Sequence, residues 1–127
     1  MMGINVRCDS GLDYAGLIAG GAKTLETRRT NSLRPWIGQR VGIVRTGRGK
    51  AHLVGYAVIG EPVMLDHAAF REAEDQHLVP FGSAYDALAG ETKYCYPMRD
   101  AERLNAPTPV TTRGIIARKL ESTDDRD

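Results

Sequence analysis

Short runs in which apolar and polar residues alternate recur along most of the chain. Alternation over four to eight residues is typical of strands that place one face in a core. The pattern predicts about six strands, at residues 4–7, 23–29, 39–45, 51–59, 93–98 and 114–120, with 62–65 extending the sheet after a bulge. Strands and helices do not alternate regularly, which argues against a doubly wound sheet. We therefore expect an α+β fold with a small, mostly antiparallel β-barrel.

Apolar residues at helical spacing predict two or three short helices among these strands. The first begins near Gly11 after a cap at Asp9 or Ser10, and it ends at Gly20-Gly21. Tyr14, Leu17 and Ile18 form its buried stripe. Two further helices are predicted, one after a cap at Asp66 running to Ala73 and a short one after Ser83 over residues 85–89.

The connections complete a single-domain organisation. Residues 46–50 read as a glycine-rich basic hairpin, 77–82 as a loop, and 103–110 as a proline-punctuated crossing. The chain has 127 residues, which favours one domain over residues 1–120. Residues 121–127 read as a charged, disordered tail.

Composition and leader signals predict a cytoplasmic protein. Hydrophobic residues make up 42% of the chain and charged residues 26%, as in ordinary soluble proteins. No apolar run approaches the roughly 20 residues of a membrane helix, and the first residues lack a secretory signal. The chain is thus expected in the cytoplasm, away from membranes, with an oligomeric state that the sequence leaves open.

Cysteines and histidines are too few and too scattered for a metal site. Cys8 and Cys95 form no Cys-x-x-Cys pair, and His52, His67 and His77 have no metal-ligand spacing. We expect no bound metal site and no cofactor, while the sequence leaves open whether a divalent metal assists the reaction. Two isolated cysteines are most often buried thiols, although a disulfide between them remains open at this stage.

The net charge of +1 conceals a basic segment between Lys23 and Lys50. This segment holds eight basic residues against the single acid Glu26, a local charge of +7. A basic field within a nearly neutral protein suggests one face built for an anion, most commonly nucleic acid. The alternative is a solvated surface with scattered arginines.

The start of that segment is the strongest candidate site. Strand alternation places Thr24, Glu26 and Arg28 on one face, and a carboxylate and a guanidinium cannot enter an apolar core unpaired. The face must therefore look at solvent, a cleft or a polar partner. The segment reads Gly21-Ala22-Lys23-Thr24-Leu25-Glu26-Thr27-Arg28.

This segment matches the Gly-x-Lys-x-x-Glu-x-Arg signature of the ASCH family, which the chain resembles over residues 6–120. The motif follows a predicted helix, as it does in that family, and precedes a Gly-x-x-Val strand at Gly38 to Val41. Family-like features nearer the C-terminus are Tyr94-Cys95-Tyr96, Pro107, Pro109 and Arg113-Gly114-Ile115. The resemblance implies a PUA-like β-barrel with a cleft suited to RNA or a modified nucleoside.

The resemblance also implies hydrolytic chemistry, because the family includes acetylcytidine amidohydrolases and members described as ribonucleases. In the amidohydrolase branch the motif lysine is catalytic, and Lys23 occupies its position. That branch has a threonine two residues before the motif arginine, where this chain has Glu26. It also uses a glutamate after the second helix. Glu74 is the nearest candidate, and Glu72 and Asp75 compete with it.

Each motif residue has a chemical role to test. Arg28 would lower the pKa of Lys23 and Glu26 would raise it, so that Lys23 could act as base or nucleophile. Glu26 would activate a water or orient Lys23, while Arg28 holds a phosphate or carbonyl oxygen. The competing interpretation is a structural ion pair between Glu26 and Arg28 that closes the barrel.

Further candidates would contact nucleic acid. Trp36, Tyr94 and Tyr96 could stack on bases or belong to the core. Arg45, Arg48 and Lys50 would contact phosphates, or else serve only solubility, and Thr24 and Arg29 flank the motif.

The leading hypothesis is a hydrolase acting on RNA or a modified nucleoside. The alternatives are a non-catalytic RNA-binding module and a sensor of free nucleotides.

Overall fold

Strands dominate the protein, whose computed structural model describes residues 1–8 and 11–121. Seven strands within those ranges form one curled sheet. They are β1 (Met2–Arg7), β2 (Leu25–Arg28), β3 (Arg40–Thr46), β4 (His52–Ile59), β5 (Val63–Asp66), β6 (Thr92–Pro109) and β7 (Ala117–Lys119). The predicted α+β half-barrel is confirmed, and the predicted extension at residues 62–65 is β5.

The sheet is mostly antiparallel. It curls so that β1 and β2, which are not paired with each other, face one another across a gap that we call the seam. Its order is β2-β6-β4-β3-β1-β7, with β5 also paired to β6. The pairing of β1 with β3 is parallel, and the other pairings are antiparallel. β7 pairs only with residues Met2 to Ile4, so the second half of β1 faces β2 across the seam. An Arg28 side chain from β2 crosses it to Asn5.

The first helix begins later than the sequence suggests. α1 spans Tyr14–Ala19, and its cap is Asp13, whose Oδ1 accepts a hydrogen bond from the Gly16 nitrogen at 3.0 Å. The prediction of a start near Gly11 is wrong by three residues, and the proposed caps Asp9 and Ser10 lie outside the described residues. Gly16 suits this cap because any Cβ there would lie 2.4 Å from the Asp13 carboxylate.

The other helices follow β5. α2 spans His67–Glu72 and is capped as predicted, since Asp66 Oδ1 accepts from the Ala69 nitrogen at 2.9 Å. α3 spans Glu74–His77. The helix predicted at residues 85–89 is wrong, because that segment forms turns around Asp86. The Asp86 carboxylate accepts from the backbone nitrogens of Gly82 and Ala87, which replaces a helical hydrogen-bond pattern.

The C-terminal third differs most from expectation. The predicted crossing at residues 103–110 is wrong, because β6 continues as one strand of 18 residues through Pro107 to Pro109. Beyond Met98 this strand pairs with β4 along one edge only, and an edge strand tolerates proline. The predicted last strand is shortened to β7, because carbonyls of residues before Ala117 are taken by the Asn5 side chain.

Apolar residues pack on both faces of the sheet. In β3, Val41 and Ile43 share the larger core, and Val44 enters a smaller core on the other face. The larger core includes the buried residues of α1, while the smaller consists of Val44, Leu53, Tyr56, Val110 and Leu120. Cys8 and Cys95 are buried free thiols. No helix in the described part of the chain is long and apolar enough to cross a membrane.

Candidate nucleotide-binding site

A cavity of about 450 Å³ opens at the seam between β1 and β2. Lys23, Glu26 and Arg28 all line it, so the three motif residues converge as the sequence pattern suggests. The full lining consists of Asn5, Val6, Arg7, Tyr14, Lys23, Glu26, Thr27, Arg28, Thr46, Val79, Tyr85, Gly114, Ile115 and Arg118. A volume of this size suits a small organic ligand.

Glu26 and Arg28 form an ion pair on the wall of the cavity. Arg28 Nε and Nη2 lie 3.0 and 2.9 Å from Glu26 Oε2. Arg28 Nη2 also donates to the Asn5 carbonyl oxygen at 2.8 Å. The guanidinium therefore closes the seam and neutralises the carboxylate with the same group. Both the structural and the chemical interpretation of this pair are consistent with this geometry.

Lys23 is buried beside that pair, with a side chain that is 1% exposed. Its Nζ donates to the His77 carbonyl oxygen, lies 3.9 Å from Glu26 Oε1 and sits 4.9 Å from the centre of the Tyr14 ring. Burial lowers the pKa of Lys23, with a smaller contribution from Arg28, while Glu26 and Cys95 oppose that shift. The sequence argument named Arg28 as the lowering influence, but desolvation is the larger cause.

His77 supports Lys23 from the end of α3. Its ring is fully buried and stacks on Phe70 with centroids 3.9 Å apart. Nε2 lies 2.6 Å from the Phe70 carbonyl oxygen and Nδ1 accepts from the Val79 nitrogen at 2.9 Å, which fits the neutral ring protonated on Nε2. Burial lowers the pKa of His77. His77 is thus the last residue of α3 and not part of the loop predicted at residues 77–82, and its side chain organises the turn that faces Lys23.

Aromatic and aliphatic side chains also line the cavity. The Tyr14 and Tyr85 rings meet edge to face, with centroids 6.0 Å apart, and Val79 lies nearby. Tyr85 belongs to the turn around Asp86, whose Oδ1 pairs with Arg71 Nη2 at 3.0 Å. The ion pair between Arg71 and Asp86 thus helps to fix the turn that carries Tyr85.

Two arginines outside the motif also reach the cavity. Arg7 ends β1, and Arg118 comes from β7, where it pairs in register with Gly3. Arg118 Nε donates to Asn5 Oδ1 at 2.8 Å. Asn5, Arg7 and Arg118 are not predicted from the sequence, since only the pairing of β1 with β3 and β7 brings them to the motif. The one available signal is the alternation of apolar and polar residues at positions 4–7.

Several predicted carboxylate and strand residues lie away from the cavity. Thr24 is exposed and lines a separate groove with Leu25. Glu74 is half exposed, and its carboxylate pairs with Arg71 at 3.2 Å. Glu72 and Asp75 are exposed and do not line the cavity either. The second carboxylate expected after α2 is therefore not brought to Lys23.

The predicted stacking residues differ in their surroundings. Tyr96 is fully buried, donates to Asn31 Oδ1 at 2.6 Å and accepts from the Leu33 nitrogen, so it belongs to the core and cannot stack on a base. Trp36, in a 3₁₀ turn, packs half-buried against the core. Tyr94 is half-buried and lies opposite Arg28 in the β2–β6 register.

The predicted phosphate contacts fall into two groups. Arg45 Nη1 pairs with Asp13 at 3.2 Å and Arg29 pairs loosely with Glu91, so both have partners within the protein. Arg48 and Lys50 are exposed on the β3–β4 hairpin. Gly47 of that hairpin lies against the side chain of Arg7, a residue that lines the cavity.

No group of histidine, cysteine, aspartate or glutamate side chains within the described ranges has the arrangement of a metal site. The polar groups available at the cavity are instead the ammonium of Lys23, the guanidinium groups and the Glu26 carboxylate. Such a set can bind anions, move protons and stabilise negative charge.

The curled sheet, its seam cavity and the short helices define the class as a mostly antiparallel α+β fold. No protein-family model matches the sequence, and no curated protein does. Solved structures do match. The particular fold is that of an ASCH domain, since the chain is similar to the crystal structure of ASCH from Zymomonas mobilis.

That similarity has a TM-score of 0.72 and 19% sequence identity, and it covers 97% of this chain and 89% of the other. Two single-substitution variants of the Z. mobilis protein give a similar result. The serine-to-alanine variant has a TM-score of 0.69 and the tyrosine-to-phenylalanine variant 0.64, each at 18% identity. They cover 95% of this chain and 88% and 90% of their own. The fold predicted from the motif is thereby confirmed.

Proposed function

We propose that this protein binds RNA or a modified nucleoside in the seam cavity and hydrolyses it there. The observation that carries the proposal is the convergence of Lys23, Glu26 and Arg28 on one cavity of about 450 Å³. A cavity of this size, lined by both aromatic and charged side chains, matches a base and its sugar. The ASCH fold supports the same ligand class.

Electrostatics favour an anionic or carbonyl-bearing ligand. The lining carries Arg7, Lys23, Arg28 and Arg118, and Glu26 is its one carboxylate among the described residues. Cations around a partly enclosed cavity attract phosphate and stabilise negative charge that develops on oxygen. The exposed hairpin cations beside Arg7 would extend this surface to a longer RNA.

Lys23 is the group proposed to move a proton. Burial lowers its pKa, so more of the amine is neutral near neutral pH than for an ordinary lysine. In amide hydrolysis the amine takes a proton from water as the water oxygen adds to the carbonyl carbon. The C–N bond then breaks, and the proton passes to the leaving nitrogen. Glu26 orients the amine, and Arg28 stabilises the oxyanion.

The same groups serve cleavage of RNA. Lys23 would take the proton of a 2′-hydroxyl as that oxygen attacks the adjacent phosphorus, and the 5′-oxygen leaves with a proton returned to it. Arg28 would stabilise the phosphoryl oxygens. The two reactions share one base and one charge stabiliser, so a single set of variants tests both.

The test compares turnover of N4-acetylcytidine and of a labelled RNA by the wild type, Lys23→Met and Lys93→Met. Lys93 is the matched control, because it is also buried but lies outside the cavity. We expect product from the wild type and the control, with a loss of about 100-fold or more in Lys23→Met. Retained activity in Lys23→Met would refute the assignment of Lys23.

A non-catalytic RNA-binding module is the second candidate. It is favoured by the hydrogen bond from Lys23 to the His77 carbonyl and by the aromatic contact to Tyr14, which hold the ammonium as a fixed charge. This candidate predicts binding that weakens steeply as salt rises, with no product from either substrate. Absence of both binding and turnover would reject both candidates.

A further inference from the structure

Arg118 is a cation that lines the cavity and has no acidic partner in the described part of the chain. Within the described ranges, Arg118 makes no ion pair, and neither does Arg7. Arg28, by contrast, is paired with the single carboxylate of the lining. A guanidinium stays charged at any pH that the protein tolerates. Among the residues that the structure describes, no acid therefore neutralises the positive charge of Arg7 or Arg118.

Neutral groups fix the orientation of the Arg118 guanidinium. Its Nε donates to Asn5 Oδ1 at 2.8 Å and its Nη1 donates to the Thr112 carbonyl oxygen at 2.7 Å. These bonds hold the half-buried group at the cavity while leaving its charge uncompensated. An oriented guanidinium with remaining donors is the group that binds phosphate oxygens best.

The segment beside Arg118 presents an apolar side chain on a fixed backbone. Ile115 is 97% exposed and lines the cavity. Asn5 Nδ2 donates to the carbonyl oxygens of Gly114 and Ile115, at 2.8 and 3.0 Å. Gly114 fits only because it lacks a side chain, since a Cβ would lie 1.7 Å from the Ala117 oxygen. The exposed isoleucine is thus held in place beside an oriented arginine.

We propose that Arg118, assisted by Arg7, binds a phosphate group of the ligand while Ile115 packs against its base or sugar. The substrate class of the cavity is then a phosphorylated nucleotide, either free or within RNA, rather than a bare nucleoside. This inference rests on the proposed function of the cavity and narrows it. In a free nucleotide and in RNA alike, the bound group is a phosphate ester, held by the N–H donors of the Arg118 guanidinium.

Calorimetric titration separates the possibilities. The ligands are the four common nucleosides and N4-acetylcytidine, their 5′-monophosphates, and single-stranded RNA pentamers of each common base. We expect at least one monophosphate or pentamer to bind about 10-fold or more tightly than its nucleoside. Arg118→Gln is expected to remove that preference. Lys119→Gln, which removes the same charge at an exposed position outside the cavity lining, is expected to retain it.

The titrations with monophosphates and with pentamers distinguish a terminal phosphate from a backbone phosphate. Monophosphate binding that depends on Arg118 indicates a terminal phosphate, and pentamer binding alone indicates a backbone diester. Both results support the inference. Equal affinity for nucleosides and phosphorylated ligands, unchanged by Arg118→Gln, would overturn it and leave the proposed function intact. Failure of every ligand to bind the wild type would overturn both.

A competition on the wild type guards against misfolding of the variant, because Arg118 also anchors Asn5 and Thr112. Inorganic phosphate should weaken the binding of monophosphates or pentamers and leave nucleoside binding unchanged. Equal effects of phosphate and of chloride at matched ionic strength would contradict a phosphate subsite. Arg118→Lys retains the charge but lacks the planar guanidinium donors, so it should bind the phosphorylated ligands with intermediate affinity.

Discussion

The Arg28 side chain joins β2 to β1, two strands that are not neighbours in the sheet, by donating from Nη2 to the Asn5 carbonyl oxygen at 2.8 Å. The same Nη2 lies 2.9 Å from Glu26 Oε2. Closure of the seam and the charge balance of the cavity therefore depend on one guanidinium. A change at this position should affect stability and ligand binding together.

Arg28→Ala is expected to lower the free energy of unfolding by about 1–3 kcal/mol, because a carboxylate and a carbonyl both lose a charged donor. Urea unfolding at neutral pH measures this. Arg29→Ala is the control, since that side chain is 73% exposed and pairs loosely with Glu91. Its cost should stay below about 1 kcal/mol. Equal costs for the two variants would show that the seam contact is unimportant.

Lys23 should make stability rise with pH on the alkaline side. Burial lowers the pKa of Lys23 below its ordinary value of 10.5. As pH rises toward 10.5, the folded protein therefore loses this proton before the unfolded chain does. The unfolded state then binds more protons, and stability increases with pH. The wild type should therefore gain stability relative to Lys23→Met over this range. A relative loss would mean that the ammonium is stabilised, not penalised, in the fold.

His77 should make the protein sensitive to mild acid. Burial lowers its pKa below the ordinary 6.5, so the unfolded chain takes up a proton first as pH falls. Stability is thus lost as pH drops below 6.5, and protonated Nδ1 could no longer accept from the Val79 nitrogen. Thermal unfolding of His77→Gln should show a weaker acid slope than the wild type. His52→Gln, at the start of β4, should retain the wild-type slope.

The basic hairpin should affect RNA binding but not the binding of small ligands. Arg48→Glu with Lys50→Glu reverses two exposed charges beside Arg7 and should weaken RNA binding about 10-fold or more at low salt. Arg45 is left unchanged because it pairs with Asp13, the cap of α1. Fluorescence anisotropy with a labelled RNA measures the change. Unaltered RNA affinity would remove the hairpin from the binding surface.

The sequence predicted the fold class and the location of the motif, because both depend on local patterns. Alternation predicted the strand at residues 39–45, which is β3, and Asp66 was a recognisable helix cap. The motif strand was predicted as a polar face, and Glu26 and Arg28 indeed form a pair there. Within these short segments, each residue's neighbours along the chain decide its environment.

The features that the sequence could not predict depend on how strands far apart in the chain pair with each other. Tyr96 looked like a stacking residue, but its place opposite Glu26 buries it under Asn31 and Leu33. Arg118 lies 113 residues from Asn5, and only the β1–β7 pairing brings them together. Pro107 suggested a break, whereas the free edge of β6 accommodates it. Local composition carries no information about such pairings.

The most direct test of the account is to locate bound ligand by NMR. A single-stranded RNA pentamer is titrated into ¹⁵N-labelled wild-type protein while backbone and side-chain amide resonances are followed. We predict that the largest shifts fall on Asn5, Arg28 and Ile115 around the cavity, with smaller shifts on the hairpin. Shifts confined to β5 or to the free edge of β6, with Asn5 and Arg28 unchanged, would contradict the assignment of this cavity as the functional site.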